Sequence, residues 1–341
     1  MRRTGKRGVH EVADRAGVSI ATVSRAFNEP TLVRENLRRR VLEVADALGY
    51  MPNPAAKALR LRRTDIVGAV IPTLDHAIYA RLVNAFQAQM ASAGYTVVVL
   101  SVGFDSTDVA DSIRQLVERG AEALMIVGAV EDEALRRFLT QKQTPVVQTY
   151  SFAEAPGQVA VGFDNAAAMR SVVLHLLSLG HRRMVMLAGP MRGNDRQIAR
   201  VGAFRTALAE AGIGPDDFGV IETRYSFQDG IDALHAVRAL YPEATAVLCS
   251  SDILAFGVLH ACRTLGIAVP RQMSVTGFDD LDFAPLLDPP LTTVEIGAEE
   301  MGREAGQRIA AALEGPGPLR GLCLPTRLVL RGSTAPPRKP R

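Results

Sequence analysis

The chain has 341 residues, of which 48% are hydrophobic and 22% are charged, and its formal net charge is +3 at pH 7. This length exceeds the usual size of a single hydrophobic core, so we expect two or three compact units. No apolar run approaches the roughly 18 residues of a membrane span, and the N-terminus lacks the apolar block of a secretory signal, which excludes a membrane protein and favours the cytoplasm.

Positive charge is concentrated at the start of the chain. Residues 1–63 hold 14 Lys and Arg against 6 Asp and Glu, a net charge of +8, whereas the remainder holds 25 against 30, a net charge of −5. A basic head on a mildly acidic body is expected when only the head meets a polyanion. A solvated charged face is the alternative, but this concentration of the excess favours nucleic acid as the partner.

The basic head is predicted to form three short helices. Val9–Ala16 and Ile20–Asn28 flank Gly17, which permits a tight turn, and Ser19 is suited to cap the second helix. A third helix from about Glu35 to Leu48 has apolar residues at helical spacing. The first two helices with their sharp turn predict a helix-turn-helix unit, whose second helix faces base edges in the major groove.

The second helix carries the residues expected to contact DNA. Ile20 and Ala21 are placed to lie against thymine methyl groups, and Arg25 is placed to pair bidentately with guanine. Val23 and Phe27 fall on the opposite face and are predicted to be core. Contacts to phosphate fix the position of a protein along the duplex but do not read its sequence. The residues expected to make such contacts are Ser19, Ser24, Asn28 and Tyr50.

The segment VHEVADRAGVSIATVSRAFN, followed by LGYMPNPAAKAL, resembles the DNA-binding head of the lac repressor family of bacterial transcription regulators. The resemblance implies a DNA-binding domain at 1–52, with Ile20, Ala21 and Arg25 reading one half-site. It also implies a hinge helix at 53–63 that orders only on operator DNA, with Leu59 entering the minor groove as a wedge. Without the resemblance, ordinary linker packing is the favoured role for Leu59.

From Asp65 onward, short β-rich runs alternate with amphipathic helical stretches. This alternation predicts parallel sheets covered by helices, and the pattern restarts near Met184, which predicts two similar lobes with a ligand cleft between them. The predicted fold class is therefore α/β, with a three-helix head, a hinge helix and a two-lobed core of parallel sheets. Strands are predicted at Ile66–Ile71, Thr96–Leu100, Ala123–Val127, Val146–Gln148, Met184–Leu187, Val220–Thr223, Ala246–Cys249 and Ser274–Gly277.

Later segments, among them VGFDN, SSDILAFGVL and LPTRLVLRGST, resemble the effector-binding core of the same family, which is similar to periplasmic sugar-binding proteins. The resemblance implies a core at 64–332 whose chain crosses between the lobes. The expected ranges are 64–162 with 292–322 for lobe 1, 163–291 with 323–332 for lobe 2, and 333–341 for a flexible tail.

Polar and aromatic residues follow several predicted strands, at the edge where open α/β sheets bind ligands. Carboxylates and a guanidinium pair with adjacent hydroxyls, and aromatic rings cover apolar C–H surfaces, so the set suits a sugar or a sugar acid. Asp164 and Arg200 match cleft positions of the family, although Asp164 is equally suited to cap a helix. Ile296 stands where several relatives carry a cleft glutamine, which indicates a different effector or polar network. The expected effector-binding residues are Thr73, Asp75, Tyr79, Gln148, Tyr150, Asp164, Arg200, Tyr225, Ser251 and Asp279.

Motifs of common enzymes are absent from the sequence, including the phosphate-binding GxxxxGK[ST], HExxH and GxSxG, and the six histidines are scattered. We therefore expect no enzymatic activity, no cofactor and no metal. His181 is interpreted as structural. The three cysteines, Cys249, Cys262 and Cys323, are interpreted as small buried residues in a reducing compartment.

These expectations combine into a cytoplasmic, nucleoid-associated homodimer that represses transcription. A small carbohydrate-like effector is expected to release it from a pseudo-palindromic operator on double-stranded DNA. Two alternatives stay open. One is a regulator of the corepressor type, in which the effector tightens operator binding; the other is a sugar-binding module or carbohydrate enzyme whose basic head serves another purpose.

Overall fold

The computed structural model describes residues 8–51, 63–104, 108–152, 159–315, 317 and 319–338. The chain forms two compact units, residues 1–64 and residues 65–341. Of the expected hinge helix at 53–63 only Arg63 is described, so the predicted wedge Leu59 lies outside the described residues. No described helix is both long and apolar enough to cross a membrane.

The first unit is a three-helix head with the predicted helix bounds. Its helices are α1 (Val9–Ala16), α2 (Ile20–Asn28) and α3 (Glu35–Leu48). Gly17 has a φ of +61°, and a Cβ at this position would lie 2.8 Å from Nη2 of Arg40, so the turn between α1 and α2 requires glycine. The head has its own small core, formed by Val12, Ala13, Ala16, Val23, Ala26, Val41, Ala45 and Leu48.

The first lobe of the second unit contains a six-stranded parallel sheet. Its strands are β1 (Ile66–Ile71), β2 (Thr96–Ser101), β3 (Leu124–Val127), β4 (Val146–Thr149), β5 (Val159–Gly162) and β11 (Leu322–Cys323), in the order β11-β5-β4-β3-β1-β2. The covering helices are α4 (Ala77–Ser92), α5 (Val109–Glu118), α6 (Glu133–Gln141) and α11 (Ala298–Glu314).

Successive side chains of each strand point to opposite faces of this sheet, and different helices cover the two faces. Val67 and Ala69 pack with α4 and α11, whereas Val70 and Ile126 pack with α5 and α6. Both faces are therefore buried, as the near-continuous apolar runs of these strands require.

The second lobe repeats this arrangement with four parallel strands. They are β6 (Met184–Ala188), β7 (Phe218–Glu222), β8 (Ala246–Cys249) and β9 (Ser274–Thr276), in the order β7-β6-β8-β9. Its helices are α7 (Asn165–Ser178), α8 (Asp195–Glu210), α9 (Phe227–Leu240) and α10 (Asp252–Thr264). The predicted fold class is confirmed.

The chain crosses between the lobes three times. Two of the crossings pair as the antiparallel strands β10 (Thr293–Glu295) and β12 (Arg327–Val329). The third follows β5 and leads into α7. These connections lie at one edge of both sheets and join the two lobes.

Two predictions about the chain's end are wrong. The expected flexible tail begins with Ser333, but Ser333 is fully buried, its carbonyl accepts from Val275 N at 2.9 Å, and its Oγ accepts from Thr292 N at 2.8 Å. This polar segment is ordered because its hydrogen bonds satisfy backbone groups in and beside β9.

Cys323 is exposed, since β11 is an edge strand, whereas Cys249 and Cys262 are buried as predicted.

Candidate functional site

In the head, the start of α2 exposes the residues predicted to meet base edges. Ser19 caps the helix, because its Oγ accepts from the Thr22 amide at 3.1 Å. Ile20 is 40% exposed, and Ala21 and Arg25 are exposed as well. Since the helix period places Val23 in the core, these side chains share the outward face.

The residues predicted to bind phosphate lie around the same helix. Asn28 Nδ2 donates to the Ser24 carbonyl at 2.8 Å; Ser24 is the middle residue of α2 and Asn28 its last. The Tyr50 ring packs edge-on against Phe27, with ring centroids 6.0 Å apart. Partial burial raises the pKa of Tyr50, which keeps its hydroxyl as a hydrogen-bond donor. Phe27 is half-buried against the head core.

In the second unit, six of the ten residues predicted to bind an effector line one small cavity between the two lobes. The cavity encloses about 30 Å³. We call it the cleft. The six predicted residues are Tyr79, Tyr150, Arg200, Tyr225, Ser251 and Asp279, and the structure adds His76, Ile78, Arg196, Gln197 and Ser250.

The structure does not bring the other four predicted residues into the cleft. Gln148 is the third residue of β4, one position before its end, and lines a separate cavity beside α6. Asp164 caps α7, since its Oδ1 accepts from Ala167 N at 2.9 Å, which matches the capping alternative. Thr73 Oγ1 accepts from the amide of the exposed Asp75 at 3.0 Å, a local turn outside the cleft lining.

Arg200 is held in the cleft by contacts on several sides. It is 4% exposed; its Nε donates to Asn165 Oδ1 and its Nη1 to the Ser250 carbonyl, both at 2.8 Å. Its guanidinium carbon lies 3.6 Å from the centroid of the Phe278 ring. Asn165 in turn donates to the Tyr150 carbonyl at 2.7 Å. The cation is therefore fixed before any ligand binds, at little further cost in side-chain entropy.

Asp279 supplies the carboxylate of the cleft. It has a φ of +115°, a sparsely populated conformation for a residue with a side chain. Its Oδ2 accepts from Ser251 Oγ at 3.1 Å. Burial raises the pKa of Asp279 to about 7, although nearby Arg200, the Ser251 hydroxyl and Arg81 act to lower it. This carboxyl therefore changes its charge near neutral pH.

Aromatic rings from both lobes close the cleft. The Tyr225 ring lies 4.9 Å from the Phe104 ring and 5.6 Å from the His76 ring, centroid to centroid. A Cβ at Gly189 would lie 2.0 Å from the Tyr225 ring, so this glycine makes room for it. Burial raises the pKa of Tyr79, Tyr150 and Tyr225, which keeps all three hydroxyls protonated.

Sequence reasoning missed Arg196, which the helix period of α8 places one turn before Arg200. Arg196 Nη1 pairs with Asp195 Oδ1 at 2.9 Å, and Asp195 Oδ2 accepts a hydrogen bond from Ser151 of the other lobe. The guanidinium lies against Gly128, where a Cβ would come within 2.0 Å of Nη1. The i, i+4 spacing of the two arginines is the signal that indicates a shared face.

Charged contacts connect the loop that carries Asp279 to its surroundings. Asp280 pairs with Arg331 at 2.7 Å, close to the strands that join the lobes. Asp282 pairs with Arg81 of α4 at 2.6 Å, an ion pair that spans the two lobes. Asp279 therefore lies one residue before the first of these ion-paired aspartates and three residues before the second.

Two residues outside the cleft have packing roles. His181 is 1% exposed and lies within hydrogen-bond distance of Thr245 Oγ1, at 2.8 Å, and of the Ala335 carbonyl, at 2.9 Å. Ile296 is fully buried in the main core. The structural interpretation of His181 fits these contacts.

The comparisons with known proteins agree with this architecture. Residues 9–53 match the family described as bacterial regulatory proteins, lacI family, and residues 173–334 match the periplasmic binding protein-like domain. The chain is similar to the HTH-type transcriptional regulator MalR of Streptomyces coelicolor, with 32% identity over 334 residues, 95% of this chain and 96% of MalR.

Solved structures show the same similarity. A LacI-family transcriptional regulator from Silicibacter pomeroyi superposes with a TM-score of 0.88 at 25% identity, over 97% of this chain and 99% of that one. A complex of the transcriptional regulator CelR with cellobiose superposes with a TM-score of 0.68 at 28% identity, over 96% and 99%. This chain belongs to the LacI family of bacterial regulatory proteins and is a DNA-binding transcriptional regulator.

Proposed function

We propose that this regulator is a homodimeric repressor of the cytoplasm, associated with the nucleoid, that a sugar or sugar acid releases from its operator. The observation that carries the proposal is the convergence of Tyr79, Tyr150, Tyr225, Arg200 and Asp279 on one cleft between two lobes. Such a cleft, with a few convergent polar groups among aromatic rings, is the usual form of a small-molecule site.

The chemistry of the cleft favours a polyhydroxylated ligand, which enters when the lobes open, since the cleft as it stands encloses about 30 Å³, roughly the volume of one water. The Asp279 carboxylate accepts from adjacent hydroxyls, and the fixed Arg200 donates to a hydroxyl or to a ligand carboxylate. The three tyrosine rings are suited to cover the C–H faces of a sugar ring. The similarity to the regulator that was solved with cellobiose supports the same class of ligand.

The ion pairs of the Asp279 loop supply a route from ligand to lobe arrangement. A ligand that engages Asp279 acts next to the interlobe pair of Asp282 with Arg81. We propose that the two lobes have two arrangements and that the effector favours the one in which the heads bind operator weakly. By linkage, operator then lowers effector affinity by the same factor.

Exposed aromatic residues on lobe 2 support a dimer. Phe227 is 54% exposed and Phe283 is 63% exposed, and both rings pack on Phe256. Adjacent large exposed apolar side chains are typical of protein interfaces. In a twofold dimer the two heads are placed to read a pseudo-palindrome, with Ile20, Ala21 and Arg25 on base edges and Ser19, Ser24, Asn28 and Tyr50 on phosphates. Leu59 is proposed as the minor-groove wedge.

A ligand screen tests the effector class. The melting temperature of the intact protein is measured against sugars, sugar acids, sugar phosphates, polyols and purines. A ligand at about 100 times its dissociation constant adds roughly 2.7 kcal/mol to the free energy of unfolding. We expect a clear rise with a sugar or a sugar acid; a response confined to purines would contradict the carbohydrate assignment.

The sign of regulation is tested on DNA. A duplex selected from random sequence by the intact protein is titrated with and without the ligand found in the screen. The proposal predicts weaker binding with ligand, whereas tighter binding identifies the corepressor alternative and overturns release.

A further inference from the structure

The side chain of Asn165 connects the arginine of the cleft to the opposite lobe. Asn165 is the first residue of α7, just after the crossing from β5 into lobe 2, and it is 4% exposed. Its Oδ1 accepts from Nε of Arg200 at 2.8 Å, and its Nδ2 donates to the carbonyl of Tyr150 at 2.7 Å. Arg200 lies on α8 of lobe 2, whereas Tyr150 follows β4 of lobe 1.

These two partners require an amide at this position. A guanidinium only donates hydrogen bonds and a backbone carbonyl only accepts them, so the group between them must accept on one side and donate on the other. An ionised carboxylate has no donor for the carbonyl, and an apolar side chain has neither function. Because Asn165 is buried, a missing bond on either side leaves a buried polar group unpaired.

The carbonyl that Asn165 holds belongs to a strained residue. Tyr150 has a φ of +70°, a conformation that bulky residues rarely adopt and that persists where surrounding contacts fix it. Its hydroxyl donates to the carbonyl of Ile78 at 3.1 Å, and its ring lies 5.1 Å from the ring of Tyr79, both residues at the start of α4. These contacts come from lobe 1, and the hydrogen bond from Asn165 comes from lobe 2.

A ligand in the cleft acts on the same guanidinium. Arg200 lines the cleft; its Nε donates to Asn165 and its Nη1 to the carbonyl of Ser250, and neither bond uses Nη2. The guanidinium is a rigid plane. A ligand oxygen that draws Nη2 therefore turns the whole plane and displaces Nε from Asn165.

We propose that Asn165 is a positioning residue with two tasks. It aims Arg200 into the cleft, and it ties the guanidinium to Tyr150, so that a ligand which turns Arg200 weakens the hold of lobe 2 on lobe 1. This inference rests on the proposed effector function of the cleft. It adds a second route from the ligand to the lobe arrangement, separate from the ion pair of Arg81 with Asp282.

Two substitutions separate the two tasks. In Asn165→Asp the carboxylate, ionised at about pH 8, still accepts from Arg200 through a charge-assisted bond but has no donor for the Tyr150 carbonyl. Asn165→Ala removes both hydrogen bonds and adds no charge. Ala167→Asp adds the same charge at an exposed position in the first turn of α7 and is the matched control.

The first measurement requires no ligand. Spin labels are placed on Gln141→Cys of lobe 1 and Ala209→Cys of lobe 2, both exposed positions, in a Cys323→Ser background. The two other cysteines, Cys249 and Cys262, are buried. Double electron–electron resonance at about pH 8 gives the distance between the labels, with a large excess of unlabelled protein so that the labels of partner chains do not contribute.

Both Asn165 variants are expected to shift or broaden the distribution of distances between the lobes, and Ala167→Asp is expected to keep the wild-type distribution. A purely structural role would lower the free energy of unfolding, measured in urea, without moving the lobes of the folded protein. Distributions of both Asn165 variants that coincide with wild type would show that the tie to Tyr150 does not set the lobe arrangement.

The second measurement uses the sugar or sugar acid that gives the largest rise in melting temperature in the screen. The selected duplex lowers the affinity of the wild-type protein for this compound by the coupling factor. Asn165→Asp is expected to reduce that factor by about two- to tenfold, the contribution of one hydrogen bond. Asn165→Ala should in addition bind the compound more weakly than Asn165→Asp, because Arg200 loses its aim.

The outcomes separate this inference from the proposed function. If the compound binds and its coupling factor is unchanged in both Asn165 variants, the relay through Asn165 is wrong and the carbohydrate cleft stands. If no sugar or sugar acid binds, the carbohydrate function fails, and the distances between the lobes still decide whether Asn165 ties them.

Discussion

Asp279 shows how a single residue combines strain, charge and position in this protein. Its positive φ and its buried carboxyl are both unfavourable; Ser251 donates a hydrogen bond to the carboxylate, and the positive charge of nearby Arg200 favours its ionised form. Unfavourable local features of this kind persist where the rest of the structure fixes them, most often at functional sites. The family resemblance led to Asp279 and Arg200, but no sequence pattern indicates the strained φ or Asn165, which orients Arg200.

The charge of Asp279 predicts a pH dependence of effector binding. A neutral sugar is expected to bind best above pH 7, because the ionised carboxylate accepts from two hydroxyls and the protonated form loses part of that capacity. Affinity should fall by up to about tenfold per pH unit below 7, measured by titration calorimetry between pH 5.5 and 8.

Asp279→Asn is expected to lower the affinity for the same sugar by roughly 10- to 150-fold above pH 7, the range for a lost hydrogen bond to a charged group. It should also flatten the dependence of this affinity on pH. Asp75→Asn, on an exposed residue outside the cleft, is the matched control. A wild-type profile that is flat across pH 7 would rule out Asp279 as the acceptor.

Asp252 predicts a pH dependence of stability. It is fully buried, it accepts from Thr293 Oγ1 at 2.6 Å and Leu281 N at 2.7 Å, and burial raises its pKa to about 8. Since this value exceeds the ordinary 3.8, its protonation contributes stability at low pH that is lost as the pH rises through about 8.

Relative to wild type, Asp252→Asn should therefore gain unfolding free energy between pH 5 and pH 9, by about 1 kcal/mol or more. The buried histidines contribute to the pH dependence of unfolding free energy with the opposite sign. They are present in both proteins, so their contribution cancels when the variant is compared with wild type. Urea denaturation at each pH measures it, with the exposed Asp216→Asn as control. A difference that stays constant with pH would show that Asp252 does not titrate in this range.

At the scale of the elements, periodicity predicted the three helices of the head and the central strands well. The three helices of the head have the predicted bounds, and β1 and β8 match residue for residue. The short strands β5, β10, β11 and β12 were missed, because two to four residues are too few for a period and their pairing depends on distant segments. Gln148 was misplaced for a related reason: a shift of one residue along a strand moves a side chain to the other face.

The exposed face of α2 predicts base-specific recognition. Arg25→Ala is expected to cost about 1–3 kcal/mol on a duplex selected by the wild-type protein and much less on random duplex at the same salt concentration. Fluorescence anisotropy with both duplexes measures the difference. Arg15→Ala removes one charge from α1 and should affect both duplexes alike. Equal losses on the two duplexes for Arg25→Ala would exclude guanine readout by this residue.

At the scale of the whole molecule, a basic head and a two-lobed core were predictable from charge and from the repeated alternation of strands and helices. The ion pairs between the lobes were not, because they depend on which loops meet after the chain has crossed three times. The Arg81–Asp282 pair and the buried Ser333 are both contacts between segments far apart in the chain. Of the two, the Arg81–Asp282 pair is the one proposed to connect a bound ligand to the lobe arrangement.

Release of the operator by a bound effector is tested by the linkage between the two ligands. Effector affinity of the intact protein is measured by calorimetry with and without a saturating selected duplex, and duplex affinity is measured with and without saturating effector. Release of the operator by effector requires that each ligand weaken the binding of the other by the same factor, within the roughly 5- to 150-fold range of allosteric coupling. Effector affinity that is the same with and without the duplex would contradict it.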